Sequence, residues 1–362
     1  MSVKTAKFNN SSNVPFQQEL KKRVDAYFKN NNISKKGNLN LYTKTLVMFS
    51  MYLVPFFLIT FNVFDSKLIW ALLAVLMGLG MAGIGMGVMH DANHGSYSKN
   101  TKLNSILGYF SIGLLSGNSL NWRIQHNIIH HTFTNVHGHD EDIDSIGLLR
   151  FEPHQPKKKI HKFQFLYAWF FYGLMTLMWS TVKDFNQAIR YNKAGYFKLS
   201  NTTFGRELVI IILSKILYYG YMLIPLFVIP EMTFLNWLFG YVLMHYVAGL
   251  TLAMVFQLAH VTDKNEFPVL NDGELENNFM EHQMRTTMDF ATKSWFITYF
   301  VGGLNFQVEH HLFPAISHIH YPQLSKIVAE TAREYNVPYH SEKTFLGALY
   351  QHTKMLYRLG RE

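Results

Sequence analysis

The stretch His90-Asp-Ala-Asn-His94 follows directly on the apolar run 68–89 and decides the fold. Its two imidazoles are four residues apart, so they share one face of a helix where a membrane-spanning helix would end. Two similar clusters lie beyond other apolar stretches, His-Asn-Ile-Ile-His-His at 126–131 and Gln-Val-Glu-His-His at 307–311. Polar side chains at membrane depth are unfavourable unless they serve a function. The three clusters therefore predict a functional site rather than isolated core histidines.

The chemistry of the clusters is that of a metal centre. Imidazole is a common ligand for iron, zinc and copper, and seven imidazoles with one amide oxygen exceed the four ligands of a structural zinc site. A two-metal centre fits better, and oxygen-activating iron suits it best because zinc lacks redox chemistry. The predicted ligands in the clusters are His90, His94, His126, His130, His131, Gln307, His310 and His311.

Further histidines are weighed one by one. His260 stands just past the fourth apolar run, as His90 does past the second, and is predicted to be a ligand or its immediate support. His245 lies inside that run, where a hydrogen bond between helices is the better interpretation. His137 and His139 lie in an acidic segment that either orients ligands or is a solvated loop. His282 is a weaker candidate, and ordinary structural roles are expected for His154, His161, His318, His320, His340 and His352.

Hydropathy predicts an all-α integral membrane protein. The mean hydropathy of +0.02 hides four apolar runs of about 20 residues, the length that crosses a hydrocarbon core of roughly 30 Å. They lie at residues 45–64, 68–89, 208–229 and 234–256 and form two hairpins. Interfacial helices and a cytosolic helical cap are expected around them. The predicted division is a cytosolic arm at 1–44, a membrane domain at 45–340 and a C-terminal helical tail at 341–362. Residues 321–362 are predicted to form two helices broken near Pro338.

Charge predicts the sidedness of the chain. The amino-terminal arm and the region of Lys157 are basic, whereas both hairpin turns carry few positive charges, so both termini and the site should face the cytoplasm. Segment 163–182 is long enough to cross but rich in Trp and Tyr. If all three clusters share one site, the chain must cross an even number of times between His131 and His310. This segment should therefore lie in the interface or re-enter.

Composition excludes several classes of protein. There are no cysteines, which removes disulfides, thiolate metal sites and iron–sulfur clusters of the chain's own. The net charge of +9 comes from basic residues beside apolar runs, which favours membrane lipid over nucleic acid as the partner. No secretory signal peptide is expected, since no early apolar core precedes a cleavage site. A Glu-x-x-His motif is missing too, so a soluble carboxylate-bridged bundle is not supported.

At these residues the chain resembles the membrane fatty acid desaturases. That family carries three histidine boxes of the forms HxxxH, HxxxHH or HxxHH, and HxxHH or QxxHH, which stand here as HDANH, HNIIHH and QVEHH. The resemblance runs from about residue 45 to 339 and includes His260-Val-Thr and Phe313-Pro-Ala. It implies a centre of two iron ions that uses dioxygen and two electrons to remove two hydrogens from an acyl chain.

The resemblance also indicates a type. Glutamine at the start of the third box is typical of front-end and related acyl-lipid desaturases, rather than the stearoyl-CoA type. Many front-end enzymes carry a fused cytochrome b5 domain with a His-Pro-Gly-Gly motif. This chain lacks the motif, so the resemblance implies a separate electron donor, ferredoxin or cytochrome b5. The acyl carrier stays open between CoA, acyl carrier protein and lipid.

A hydroxylase of the same superfamily, acting on a fatty acid, sterol, alkane or carotenoid, is the nearest alternative function. A metal transporter is a remote one.

Overall fold

The computed structural model describes residues 5–144 and 147–362 and is predominantly helical. In these residues four helices are long and apolar enough to cross a membrane, as predicted. They are called the first to fourth spans: Leu39–Thr60, Lys67–Asn93, Phe204–Val228 and Phe234–His260. The second and fourth spans run further than hydropathy predicted, because each continues to the histidines at its carboxyl end.

The spans begin and pack for identifiable local reasons. Asn38, Thr203 and Thr233 cap the first, third and fourth spans, each accepting a hydrogen bond from a backbone N–H of the first turn. A Cβ at Gly78 would lie 2.5 Å from the carbonyl oxygen of Met244. Only glycine allows the second and fourth spans to approach this closely, and this contact fixes their relative position.

Two stretches that carry histidines are π-helical. The second span changes from α-helix at Lys67–Ile84 to a π segment at Gly85–Met89, and then to the short helix His90–Asn93. The second cluster follows helix Ser119–Arg123 in another π segment, Ile124–His130. A π-helix closes its hydrogen bonds five residues back, so it changes which side chains share a face.

Shorter helices surround the spans. One lies at Thr101–Leu114, and a chain of segments leads to the third span: Lys159–Phe163, Gln164–Gly173, Met175–Met178, Trp179–Lys183, Asp184–Ala194 and Tyr196–Leu199. Helices Lys159–Gly173 and Met175–Ala194 meet at a bend of 50°. A broken span or a re-entrant loop would have this shape, so the expectation that 163–182 does not cross stays a prediction.

A helical cap covers the carboxyl ends of the second and fourth spans. Its helices are Val14–Asn30, Phe279–Thr286, Trp295–Phe300, Gln307–Leu312, the 3-10 turn His318–His320, Tyr321–Glu334 and Phe345–Leu359. The last two confirm the predicted break near Pro338. Two short parallel strand pairs tie the cap together, Lys7–Phe8 with Glu274–Leu275 and Asp289–Phe290 with Ser341–Glu342. Its core joins the first of these helices to Tyr321–Glu334 through Phe16, Leu20, Leu324 and Val328.

The amino end of the first span lies on the same side as the cap. The Lys44 ammonium is buried and lies 2.8 Å from Nε2 of His318, which follows the third cluster. All three histidine clusters and the amino-terminal arm therefore meet at one end of the four-span bundle.

Candidate metal centre

The first group of candidate ligands joins all three clusters. One ligand atom from each of His90, His94, His126 and His310 lies within 4.8 Å of the others. Nε2 of His90 and Nε2 of His126 are 3.2 Å apart, although they come from different helices. The end of the second span thus meets the second cluster and the cap helix Gln307–Leu312 at a single point.

The second group lies beside the first. It contains His130, His260 and His311, whose ligand atoms again lie within 4.8 Å of one another. The buried side chain of Gln307 lies beside this group, near the His260 ring. Gln307 stands three residues before His310 and four before His311, and it also lies near His260, from the end of the fourth span.

His131 lies between the two groups. Its Nε2 is 3.2 Å from Nε2 of His126 and 2.9 Å from Nε2 of His310. It also forms a compact set with His310 and His311. All eight histidines predicted as ligands therefore converge, and His131 connects the two halves.

The π segment explains how neighbouring histidines serve different groups. An α-helix would place His126 and His130 on one face, with His131 on an adjacent face. Instead the N–H of His131 donates to the carbonyl of His126 at 2.9 Å, a bond that spans five residues. His131 therefore returns beside His126, while His130 turns toward His260 and His311. His126 and His130 still have ligand atoms within 4.8 Å of each other, and it is the position of His131 that departs from α-helical geometry.

The unpartnered atoms of these side chains fit a bound cation. His94 Nε2, His260 Nε2, His311 Nε2 and Gln307 Nε2 are buried and have no hydrogen-bond partner. Burial, reinforced by neighbouring histidines, holds the pKa values of His131, His310 and His311 well below the usual range, so these rings are neutral at pH 7. Neutral imidazoles that point their nitrogen lone pairs at one another are suited to metal ions. A bound cation would accept several of these lone pairs at once.

Hydrogen bonds behind the ligands orient the rings. Nδ1 of His130 lies 3.0 Å from the buried carboxylate of Asp140. Burial would lower the pKa of His130, but the carboxylates of Asp140 and Asp142 outweigh that effect and raise it to about 9. Gln283 Oε1 lies 2.9 Å from Nδ1 of His311, and its Nε2 donates to the carbonyl of His131. Such partners commonly fix the orientation of metal-ligating histidines.

A second network supports the first cluster. The buried carboxylate of Asp91 accepts a hydrogen bond from Ser317 Oγ at 2.9 Å and lies 2.9 Å from Nδ1 of His318. His318 in turn contacts Lys44. Sequence reasoning gave His318 an ordinary structural role and did not select Asp91. The position of Asp91 between two predicted ligands was the signal that could have found it.

The remaining histidines divide between the predicted roles. His245 bonds between helices as predicted, with Nε2 lying 2.6 Å from Tyr218 Oη. His282 lies outside both groups, although it is buried. His137 contacts Glu152 at 2.6 Å. His352 is fully buried, and its ring lies 2.8 Å from both Tyr172 Oη and the carbonyl oxygen of Val261.

An apolar cavity of about 230 Å³ opens beside the first group. His90 and His126 line it, and the second span contributes Met81, Gly85 and Met89 along its length. Other apolar lining residues come from the fourth span and the interfacial helices: Ile112, Leu115, Trp122, Met175, Trp179, Leu252, Ala253 and Phe256. Its polar lining groups include Gln125, Glu141, Asp142 and Lys183. An alkyl chain in this cavity would pass close to the histidines.

Four membrane spans with two adjoining histidine groups at one end define an integral membrane metal-binding enzyme of the histidine-box class. The chain belongs to the fatty acid desaturase family, whose family model matches residues 66–343. It is therefore an oxidoreductase that desaturates fatty acyl chains. This membership confirms the resemblance drawn from the three boxes and leaves no support for a metal transporter.

Similar proteins cover nearly the whole chain. It is 35% identical over 359 residues to the sn-1 linoleoyl-lipid 6-desaturase of Synechocystis sp. (strain ATCC 27184 / PCC 6803 / Kazusa), with 96% of each chain covered. A protein of the same name from Arthrospira platensis is 32% identical over 353 residues, covering 96% of this chain and 94% of that one. The acyl-lipid (8-3)-desaturase of Physcomitrium patens is 35% identical over 362 residues, or 98% of this chain and 74% of that one.

Proposed function

We propose that the protein is a front-end acyl-lipid desaturase, which inserts a cis double bond between an existing one and the carboxyl end of a lipid-linked acyl chain. The observation that carries the proposal is the pair of adjoining histidine groups beside an apolar cavity within the membrane bundle. The printed names of the relatives, 6-desaturases and an (8-3)-desaturase acting on acyl lipids, support the type.

Two iron ions are the proposed cofactor. One would be held by His90, His94, His126 and His310, and the other by His130, His260 and His311 with Gln307, while His131 lies between them. When bound, the irons supply the oxidising power, from dioxygen and two electrons, that removes two hydrogens from an unactivated chain. The chain's own residues orient these ligands through Asp140 and Gln283.

The cavity supports a reaction near the carboxyl end of the substrate. Among its polar lining residues, Asp142 lies within 4.8 Å of the ligand atoms of His126 and His130, and Gln125 donates to it at 2.5 Å. A polar headgroup bound there would leave only a few carbons between itself and the metals. The apolar remainder of the cavity, toward Met81 and Leu252, would exclude water and hold the tail.

Sidedness and partners complete the proposal. Both termini and the metal centre would face the cytoplasm, where a separate ferredoxin or cytochrome b5 delivers electrons.

Segment 163–182 would re-enter rather than cross. Its tip reaches the middle of the fourth span, where Thr176 donates to the carbonyl of His245 at 2.7 Å. The chain around it returns to the metal side, because Glu207 contacts Asn118 just before the second cluster. The proposed domain limits remain 1–44, 45–340 and 341–362.

Product analysis tests the function. The full chain would be expressed in a host that lacks polyunsaturated lipids, which is fed defined fatty acids. New double bonds in each lipid class would then be located by mass spectrometry. We expect a new cis bond on the carboxyl side of an existing one. Hydroxylated chains would instead support the hydroxylase alternative, and a bond inserted toward the methyl end would refute the front-end assignment.

A further inference from the structure

A second cavity lies at the opposite end of the four-span bundle. It encloses about 140 Å³ and is lined by residues from all four spans, among them Phe56, Trp70, Met222 and Trp237. Trp70 and His90 lie on the same span, so the helical rise of 1.5 Å per residue places this cavity roughly 30 Å from the metal centre. Its position puts it in the other half of the membrane.

Two hydrogen-bond donors that line this cavity have no acceptor as a partner. Trp70 is 7% exposed, and its indole Nε1 is buried with no partner. Asn236 Nδ2 is likewise buried and unpartnered, and Lys67 adds a positive charge. The described lining residues include no carboxylate. Within a membrane an unsatisfied donor is strongly unfavourable, so this combination is suited to a ligand that brings acceptor oxygens.

The inner end of the cavity is apolar and small residues keep it open. Ala71, Ala74 and Gly240 lie on facing sides of the second and fourth spans, with Met77 and Met244 beyond them. An ideal Cβ on Gly240 would lie 3.9 Å from the Cβ of Ala74, which leaves the space between these spans unfilled. An alkyl chain fits this lining.

Packed residues separate this cavity from the one beside the metals. Met77 lines the far cavity and Met81 lines the near one, and between them Gly78 packs directly on the backbone of Met244. The next residue, His245, is fully buried and bonds to Tyr218. The donors of the far cavity are also unsuited to the methyl end of a substrate. It is therefore a distinct site.

We propose that the far cavity binds a fatty acyl ligand from the leaflet opposite the metal centre. The acyl oxygens accept hydrogen bonds from Trp70 Nε1 and Asn236 Nδ2 near the positive charge of Lys67, and the tail lies along Ala74 and Gly240. A free fatty acid and a membrane lipid both present such oxygens, as a carboxylate or as an ester. The proposal does not depend on the proposed regiochemistry of the reaction.

Photolabelling of the purified full chain in phosphatidylcholine vesicles tests this site. The probes are a fatty acid with a diazirine near its carboxyl end and a lysophosphatidylcholine with the same acyl chain. We expect mass spectrometry to place adducts in segments 67–77 and 232–244. Excess unlabelled fatty acid should suppress them. Adducts from the fatty acid alone identify a carboxylate ligand, and adducts from both probes identify an ester-bearing lipid.

Two substitutions test the donors. Trp70→Phe removes the indole donor and keeps an aromatic ring, and Asn236→Leu removes the amide donor and keeps the branched shape. Each should lower labelling about five-fold. Trp295→Phe is the matched control, because Trp295 is 77% exposed in the cap. Adducts confined to the metal-side cavity in the unsubstituted protein would overturn the proposal, whether or not the variants fold. Unchanged labelling in both folded donor variants would also overturn it.

Discussion

Replacement of Asp140 by Asn should weaken metal binding without disturbing the fold. The carboxylate is buried, and its two oxygens lie 3.0 and 3.1 Å from Nδ1 of His130. The same oxygens accept hydrogen bonds from the backbone N–H groups of Asn135 and Asp142, both at 2.9 Å. Asparagine keeps the size and one acceptor oxygen. It loses the negative charge and one acceptor, so the loop can persist while His130 loses its charged partner.

The magnitude follows from the role of such carboxylates. Loss of a hydrogen-bond partner behind a ligating histidine typically lowers metal affinity or activity by about 10–100-fold. Because each tenfold change corresponds to about 1.4 kcal/mol, the expected loss is roughly 1.4–2.8 kcal/mol. Only one of the eight histidines is affected directly. We therefore expect a loss nearer to tenfold, concentrated in the group formed with His260 and His311.

The assay is iron retained during titration with a chelator, measured on purified protein beside its desaturase activity. Asp144→Asn is the matched control, since it makes the same charge change at an exposed position of the same loop. It should retain iron and activity. Equal iron retention by Asp140→Asn and Asp144→Asn, with unchanged melting temperatures, would refute the role given to Asp140.

Other predictions address the site, the topology and the fold. Metal analysis should find about two irons per chain in the unsubstituted protein and fewer in His311→Ala, which should also lose its activity. One zinc and no iron in active protein would contradict the proposed two-iron centre. Gln307→Leu should lower both iron and activity because it removes the polar neighbour of His260, and full activity would show that it only packs. A membrane-impermeant label at Ser66 should react only from the side opposite the termini, whereas accessibility of Lys193 from that side would show that segment 163–182 crosses. His352→Ala should lower the melting temperature by several degrees rather than be neutral, because it opens a buried cavity and strips two hydrogen bonds.

Much of the architecture could be predicted because it depends on composition over long windows. A run of about 20 apolar residues has few alternatives to a membrane span. The convergence of the histidines was also predictable, since eight clustered imidazoles have few other uses. His260 was found by its position alone, at the end of a span as His90 is. These inferences need no knowledge of side-chain directions.

The parts that escaped prediction depend on three-dimensional contacts. Gln283 contacts His311 although 27 residues separate them, and no pattern in the sequence links the two. Lys44 lies at the start of an apolar span, where sequence suggests an interfacial charge, yet it is buried against His318. The burial of His352 arises from packing of the last helix on Tyr172 and the fourth span. Each depends on how the cap docks onto the bundle.

The π segment at 124–130 shows why local pattern and site geometry disagree. On an α-helix His131 would lie about 100° from His130 and about 140° from His126. The π turn brings His131 back beside His126. The three imidazoles of this six-residue segment therefore all reach the metal centre, but on different sides of it. His126 thus belongs to one group and His130 to the other, with His131 between them.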